Sequence, residues 1–163
     1  MTIRLLASIG RARSTQSWEP MTAPVQNFLS SARILVIDDH EDSRNLANLV
    51  LEHAGYKVSL ASTGVQGLEL ALLELPDLIL ADLILPEIDG LELVERLRLH
   101  PATCDVRIIA LTADARPAVH EDAMRAGCNA FLVKPFPIAT LRSVVLEQLL
   151  LARLYGRSRF ISL

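Results

Sequence analysis

The sequence has no apolar run near the roughly 18 residues that a membrane-crossing helix needs. Its most apolar stretch, residues 141–154, is interrupted by Arg142, Ser143, Glu147, Gln148 and Arg153. The start of the chain carries no apolar core of a secretory signal either. Cysteine is nearly absent: Cys104 and Cys128 have neither CxxC spacing nor a histidine at metal-ligand spacing. They read as reduced, structural thiols of a cytoplasmic protein rather than as a disulfide framework or a zinc module. Positive charge is scarce in the body of the chain, where residues 33–141 hold 9 Lys and Arg against 17 Asp and Glu. Residues 1–32 and 142–163 are both net basic. An acidic body argues against nucleic acid as the main partner of the fold.

What is present suits one domain with tails. The chain has 163 residues, of which 51% are apolar, enough for one sizeable core. Residues 1–31, with Pro20, Pro24, scattered Ser and Thr and a single acid, Glu19, read as an irregular N-terminal extension. An Arg-rich, acid-poor start can also resemble an organelle transit segment, and Met21 could be the true beginning. The domain is expected over residues 32–154, followed by a short basic tail over 155–163.

Five short apolar runs alternate with five helical patterns. The strands are expected at residues 34–37, 56–60, 78–81, 107–111 and 130–133. The first helix has Asp42 or Ser43 as its cap, carries Leu46, Leu49, Val50 and His53 at helical spacing, and closes at Gly55. The second starts at Ser62 or Thr63, presents Val65, Leu68, Leu72 and Leu75, and stops at Pro76. The third holds Leu91, Val94, Leu97 and Arg98. Pro117 fits the first turn of the fourth, and Pro137 opens the fifth, whose core stripe reads Ile138, Leu141, Val145 and Leu149. Such alternation predicts an α/β fold: a flavodoxin-like, doubly wound parallel sheet of five strands in order 2-1-3-4-5, with five helices.

On that topology the polar residues converge. Asp38 and Asp39 follow the first strand, Asp82 the third, Thr112 the fourth and Lys134 the fifth. All then lie on the carboxyl edge of the sheet, and the three acids flank the crevice where the strand order reverses. Carboxylates packed together need a counter-charge, since two unit charges at about 4 Å repel by roughly 4 kcal/mol at an effective dielectric of 20. A hard, oxygen-seeking cation such as Mg²⁺ suits them, and Lys134 adds a fixed positive charge. Cation, ammonium and hydroxyl around one nucleophilic carboxylate suit phosphoryl transfer. A plain salt bridge of Lys134 with one Asp would explain only two of these five residues.

Four segments then carry a family resemblance: ILVIDDHEDSR at 34–44, LILADLILPEIDG at 78–90, IIALTA at 108–113 and FLVKPF at 131–136. From about Arg33 to Leu151 the chain resembles the receiver domain of two-component response regulators. The resemblance implies a phosphorylation-controlled switch in a phosphorelay rather than an enzyme with a separate substrate. Asp82 would accept a phosphoryl group from the phosphohistidine of a sensor histidine kinase or a histidine phosphotransfer protein. Mg²⁺ would be held by Asp39, Asp82 and the main-chain carbonyl of Ile84, with Asp38 acting largely through metal-bound water. Thr112 and Lys134 would hold the phosphoryl oxygens, and the Lys134-Pro135 bond would be cis. Phe131 stands at the family's switch-aromatic position, without the hydroxyl of the usual Tyr. Thr112 and Phe131 would move together.

Further expectations concern the rim and the output. Ile84 and Asp114 lie two residues beyond Asp82 and Thr112 and should look over the site, Ile84 obstructing water and Asp114 orienting it or repelling the phosphoryl group. Mg²⁺ prefers oxygen, so His40 is expected at the surface or helix entry. The fifth helix is apolar on most sides, with Val144, Leu146, Leu150, Leu151 and Leu154 outside the core stripe. That favours a homodimer through the fourth helix, fifth strand and fifth helix. The segment after the fifth helix is too short for a DNA-binding unit, so a stand-alone receiver acting through a downstream protein contact is expected. A haloacid-dehalogenase-type phosphatase would instead place DxD after the first strand. A binding-only pseudo-receiver would lack one of the acid, Thr and Lys set.

Overall fold

The computed structural model of the chain describes residues 31–155. The expected extension over 1–31 and tail over 155–163 therefore lie, but for Ser31 and Tyr155, outside the described residues. In chain order the elements are β1 (Arg33–Ile37), α1 (Glu41–His53), β2 (Lys57–Ala61), α2 (Gly64–Glu74), β3 (Leu78–Asp82), α3 (Gly90–Leu99), β4 (Arg107–Thr112), α4 (Pro117–Ala126), β5 (Ala130–Val133) and α5 (Ile138–Tyr155). The five strands are parallel, in the order β2-β1-β3-β4-β5. The doubly wound topology read from the alternation of strands and helices is the one observed. No helix among the described residues is long and apolar enough to cross a membrane.

Strand periodicity divides the core into two layers. Ile34 and Val36 of β1, Leu78 and Leu80 of β3, and Ile109 and Leu111 of β4 pack under α1 and α5. Their neighbours Leu35 and Ile37, Ile79 and Ala81, and Ile108 and Ala110 pack under α2, α3 and α4. Every residue of the central strand β3 is buried, Asp82 included. Burial on both faces is why these strands read as unbroken apolar runs rather than alternating ones.

The helix faces differ from those expected. On α1 the buried residues are Ala47, Val50 and Leu51, while Leu46 and Leu49 face outward. On α2 they are Gly64, Gly67 and Ala71, with Val65, Leu72 and Leu75 exposed. Small residues take the inner face of α2 because that helix lies close to the sheet: a Cβ on Gly67 would stand 2.5 Å from Ile37 Cδ1. On α5 the stripe is Leu141, Val145, Gln148 and Leu149. Ile138 is exposed, at the first residue of that helix. Val144, Leu146 and Leu150 are partly covered by the core below them, so α5 is less naked than its sequence implies. Leu154 remains exposed. The N-cap of α1 is His40, which makes no side-chain capping bond, in place of Asp42 or Ser43.

One turn places the end of β3. Gly90 N donates to Leu83 O (3.0 Å), and the Asp89 carboxylate accepts Glu92 N (2.8 Å) as the N-cap of α3. The turn folds back so tightly that a Cβ on Gly90 would lie 2.3 Å from Asp82 O and 2.5 Å from Leu83 Cα. Those are backbone atoms and cannot rotate away. Gly90→Ala should therefore lower stability by about 2 kcal/mol, within the usual overpacking range, read as a shift of the urea midpoint. An unchanged midpoint would mean that the turn is pliable.

Candidate functional site

Strand register brings the site together. Ile37 of β1 pairs with Ala81 of β3, so the residues that follow, Asp38 and Asp82, face each other across the gap between neighbouring strands. Thr112 pairs with Val133 on the other side, and Lys134 N donates to Thr112 O (2.7 Å). Lys134 then reaches back over the strand ends. Its Nζ donates to Asp38 Oδ2 (2.6 Å) and to Asp82 Oδ2 (2.5 Å), bridging the two acids. Asp38 is 1% exposed and Asp82 5%. The Lys134-Pro135 peptide is cis, as expected.

The remaining carboxylate oxygens are held from the loops. Asp82 Oδ1 accepts Ile84 N (2.8 Å), Asp38 Oδ1 accepts His40 N (3.0 Å), and Asp38 Oδ2 also accepts the Ser43 hydroxyl (2.6 Å). Arg44 Nη1 donates to the carbonyl of Asp38 (2.7 Å) and more distantly to that of Asp39 (3.4 Å), tying the loop to α1. Ser43 and Arg44 were not singled out from sequence as site residues. The available signal was their place one helical turn beyond the acid pair, which returns their side chains to the strand end. Asp39 is half-exposed, its Oδ1 2.8 Å from His40 Nδ1.

Three carboxylates within reach of one point fit a hard cation. Single ligand atoms from Asp38, Asp39, His40 and Asp82 all lie within 4.8 Å of one another. A shallow groove above them is lined by His40, Asp42, Ser43, Asp82, Ile84, Ala113 and Lys134. Ile84 stands at this rim, 62% exposed, as expected. Asp114 does not: its carboxylate is taken by the Arg116 guanidinium, with Nε donating to Oδ2 (2.9 Å) and Nη2 to the same oxygen (2.5 Å). That hydrogen bonding, together with the Arg116 charge, holds the Asp114 carboxyl below the usual range, and Ala113 lines the groove in its place. Thr112 is buried at 1% exposure, and its Oγ1 accepts Asp114 N (3.1 Å). Phe131 is half-buried under α4, where its ring meets His120 edge-on, centroids 5.0 Å apart at 70°.

The sequence model described as the response regulator receiver domain matches residues 34–146. The chain belongs to the response regulator receiver family. Receivers are phosphorylation-controlled signalling domains of two-component phosphorelays, and their partners are histidine kinases or phosphotransfer proteins. Among relatives, the chain is 31% identical over 121 residues to the sporulation initiation phosphotransferase F of Bacillus subtilis, covering 74% of this chain and 96% of that protein. It is 39% identical over 106 residues to the DNA-binding dual master transcriptional regulator RpaA of Synechocystis, covering 65% of this chain but only 44% of that regulator. Among solved structures it is similar to the receiver domain of the Pseudomonas aeruginosa sensor histidine kinase PA1611, whose active-site cleft coordinates a magnesium ion. There the TM-score is 0.69 and identity 32%, covering 73% of this chain and 98% of that one.

In this receiver the Lys134 ammonium is the counter-charge of the crevice. Burial alone would lower its pKa, but the hydrogen bonds and charges of Asp38 and Asp82 outweigh burial and raise it above 10.5. A raised lysine pKa stabilises the fold fully below the unfolded-state value and loses that contribution only as pH climbs through the folded-state one. The bridge is therefore intact at neutral pH and fails in strong alkali. Lys134→Met strands two buried carboxylates and should cost about 3 kcal/mol at pH 7, measured by urea unfolding. Adding Asp38→Asn to that variant should restore part of the loss. Equal midpoints for wild type and Lys134→Met would show that the bridge contributes nothing.

Proposed function

We propose that Asp82 is the phosphoacceptor of this response regulator and that the lysine-bridged crevice is its phosphorylation site. The observation that carries the reading is the Lys134 ammonium shared by Asp38 and Asp82 at the switch point of the sheet. The Asp82 carboxylate attacks the phosphorus of a phosphohistidine, an oxygen–phosphorus bond forms, and the nitrogen–phosphorus bond breaks as the imidazole leaves. Lys134, already within hydrogen-bonding distance of Asp82, binds one phosphoryl oxygen and offsets its charge. The Thr112 hydroxyl binds another. Asp38, Asp39, Asp82 and the main-chain carbonyl of Ile84 would hold Mg²⁺, which would supply positive charge to offset that of the acids and of the incoming phosphoryl group.

Thr112 turns toward the modified Asp82, and Phe131, one strand away, follows it into the space released. Signalling then proceeds through the α4–β5–α5 face to a downstream protein, with no direct contact to DNA. The domain over 32–154 acts in the cytoplasm, where the thiols of Cys104 and Cys128 stay reduced rather than joined in a disulfide. A homodimer forms on the α4–β5–α5 face, a reading supported by the exposure of Met124, Val133 and Leu154, one from each element. Sedimentation should give a larger species when beryllium fluoride mimics the phosphoryl group, and a strict monomer in both states would sink the dimer.

Incubation with acetyl phosphate and Mg²⁺ followed by intact mass should show one added phosphoryl group on wild type and none on Asp82→Asn. No addition to wild type overturns the reading. In the same assay Ile84→Asn should still be phosphorylated, but lose the group severalfold faster, because a polar side chain at the rim admits water. Decay at the wild-type rate would remove that role for Ile84.

A further inference from the structure

His40 is the member of the crevice to which phosphoryl transfer gives no work. Its ring is 74% exposed at the mouth of the groove, yet Nδ1 stands 2.8 Å from Asp39 Oδ1 and 3.8 Å from Asp38 Oδ1. The ring is not needed for the helix it precedes, since His40 is the N-cap of α1 and makes no side-chain capping bond. Its backbone is fixed by the amide donating to Asp38 Oδ1 (3.0 Å) and by its carbonyl accepting Arg44 N (3.0 Å). The imidazole is thus delivered by a rigid backbone to the edge of a three-carboxylate cluster.

The spacings approach those of a coordination polyhedron. On an octahedral ion with bonds of about 2.1 Å, adjacent ligand atoms stand about 3 Å apart and opposite ones about 4.2 Å. The two Nδ1 separations, 2.8 and 3.8 Å, lie within or just short of that span, while the four ligand atoms, within 4.8 Å of one another, would have to draw in to meet one ion. Mg²⁺ gains little from such a nitrogen, because it favours oxygen and keeps its waters. Fe²⁺, Co²⁺, Ni²⁺ and Zn²⁺ accept imidazole readily and rise in affinity when one is offered.

We infer that His40 supplies a nitrogen ligand to the cation site of the crevice and tilts that site toward late first-row dications over Mg²⁺. This rests on the reading that the crevice holds a divalent cation. When the ion binds, it takes the place of the hydrogen that Nδ1 shares with Asp39, and the proton is carried by Nε2 or released to water. The ion also fixes Asp39, the most exposed of the three acids, against the loop. The metal that loads the receiver is then set by which dication is available as well as by the acids.

The test compares wild type with His40→Ala, using Co²⁺ and Mg²⁺ alone as probes in calorimetric titrations. Because the ring is exposed, the variant should fold, and an unchanged urea midpoint checks this. The Co²⁺-to-Mg²⁺ affinity ratio should fall at least tenfold in His40→Ala while Mg²⁺ affinity stays within twofold. In wild type, bound Co²⁺ should shift one exchangeable imidazole N–H proton resonance far from the diamagnetic range, and that resonance should be missing from His40→Ala. An unchanged ratio with no shifted resonance overturns the role of His40 and leaves the oxygen site standing. Failure of both ions to bind wild type overturns the cation site itself, and this inference with it.

Discussion

Two buried carboxylates on neighbouring strands share one ammonium, and the rest of the structure is arranged to permit it. Asp38 and Asp82 sit at the carboxyl edge of the sheet, where β1 and β3 part and their helices leave on opposite faces. Either acid alone in that position would be costly to ionise. Lys134 resolves this from the far side of the sheet: it follows β5, two strands from β3, and is aimed inward by the hydrogen bond its backbone N–H donates to Thr112 O. Both acids meet it through Oδ2. Their Oδ1 atoms are left to backbone amides, Ile84 N for Asp82 and His40 N for Asp38.

That division of labour makes the crevice responsive. A cation entering among the acids would compete with Lys134 for the same negative charge, and a phosphoryl group on Asp82 would bring the ammonium a new partner. Lysine suits this better than arginine would, being a compact point charge on a flexible stem rather than a rigid fork. What must not move is the backbone around it. Arg44 ties the Asp38 and Asp39 carbonyls to α1, while Asp89 and Gly90 fold the chain after β3 back against Asp82 O. The charged atoms can exchange partners because their scaffold cannot.

The strand order and the meeting of Asp38, Asp82 and Lys134 at one edge of the sheet are legible in the sequence for one physical reason: each depends on buried, parallel strands that end in polar residues. The cis Lys134-Pro135 bond follows instead from the family resemblance. β5 was bounded to the residue, and β2 slipped by one, because Tyr56 and Ala61 are both acceptable at a strand end. Helix faces were harder. Leu72 outranks Gly67 and Ala71 in hydrophobicity, yet α2 approaches the sheet too closely for bulk and its small residues turn inward, whereas α1 turns Val50 and Leu51 inward and leaves Leu46 and Leu49 exposed. The capture of Asp114 is not legible in the sequence, because it depends on Arg116, whose side chain folds back over the loop. Ser43 escaped notice as a site residue because its capping propensity suggested a different use of the same hydroxyl.

Phe131 shows how a missing atom shapes what the fold can transmit. A tyrosine at this position could anchor its hydroxyl at either end of a movement. Phe131 has only its ring, and the ring is met by His120 from α4. An edge-to-face aromatic pair contributes about 0.5–1.5 kcal/mol beyond its buried area. That is enough to favour one rotamer without locking it. On the switch reading, movement of Thr112 has only to outweigh this small preference, which is well within the reach of a charged phosphoryl group bonding a buried hydroxyl. The aromatic contact would then yield first at α4. The surface of that helix is therefore where a change at Asp82 would emerge, carried by packing between β4, β5 and α4 rather than by a hydrogen bond.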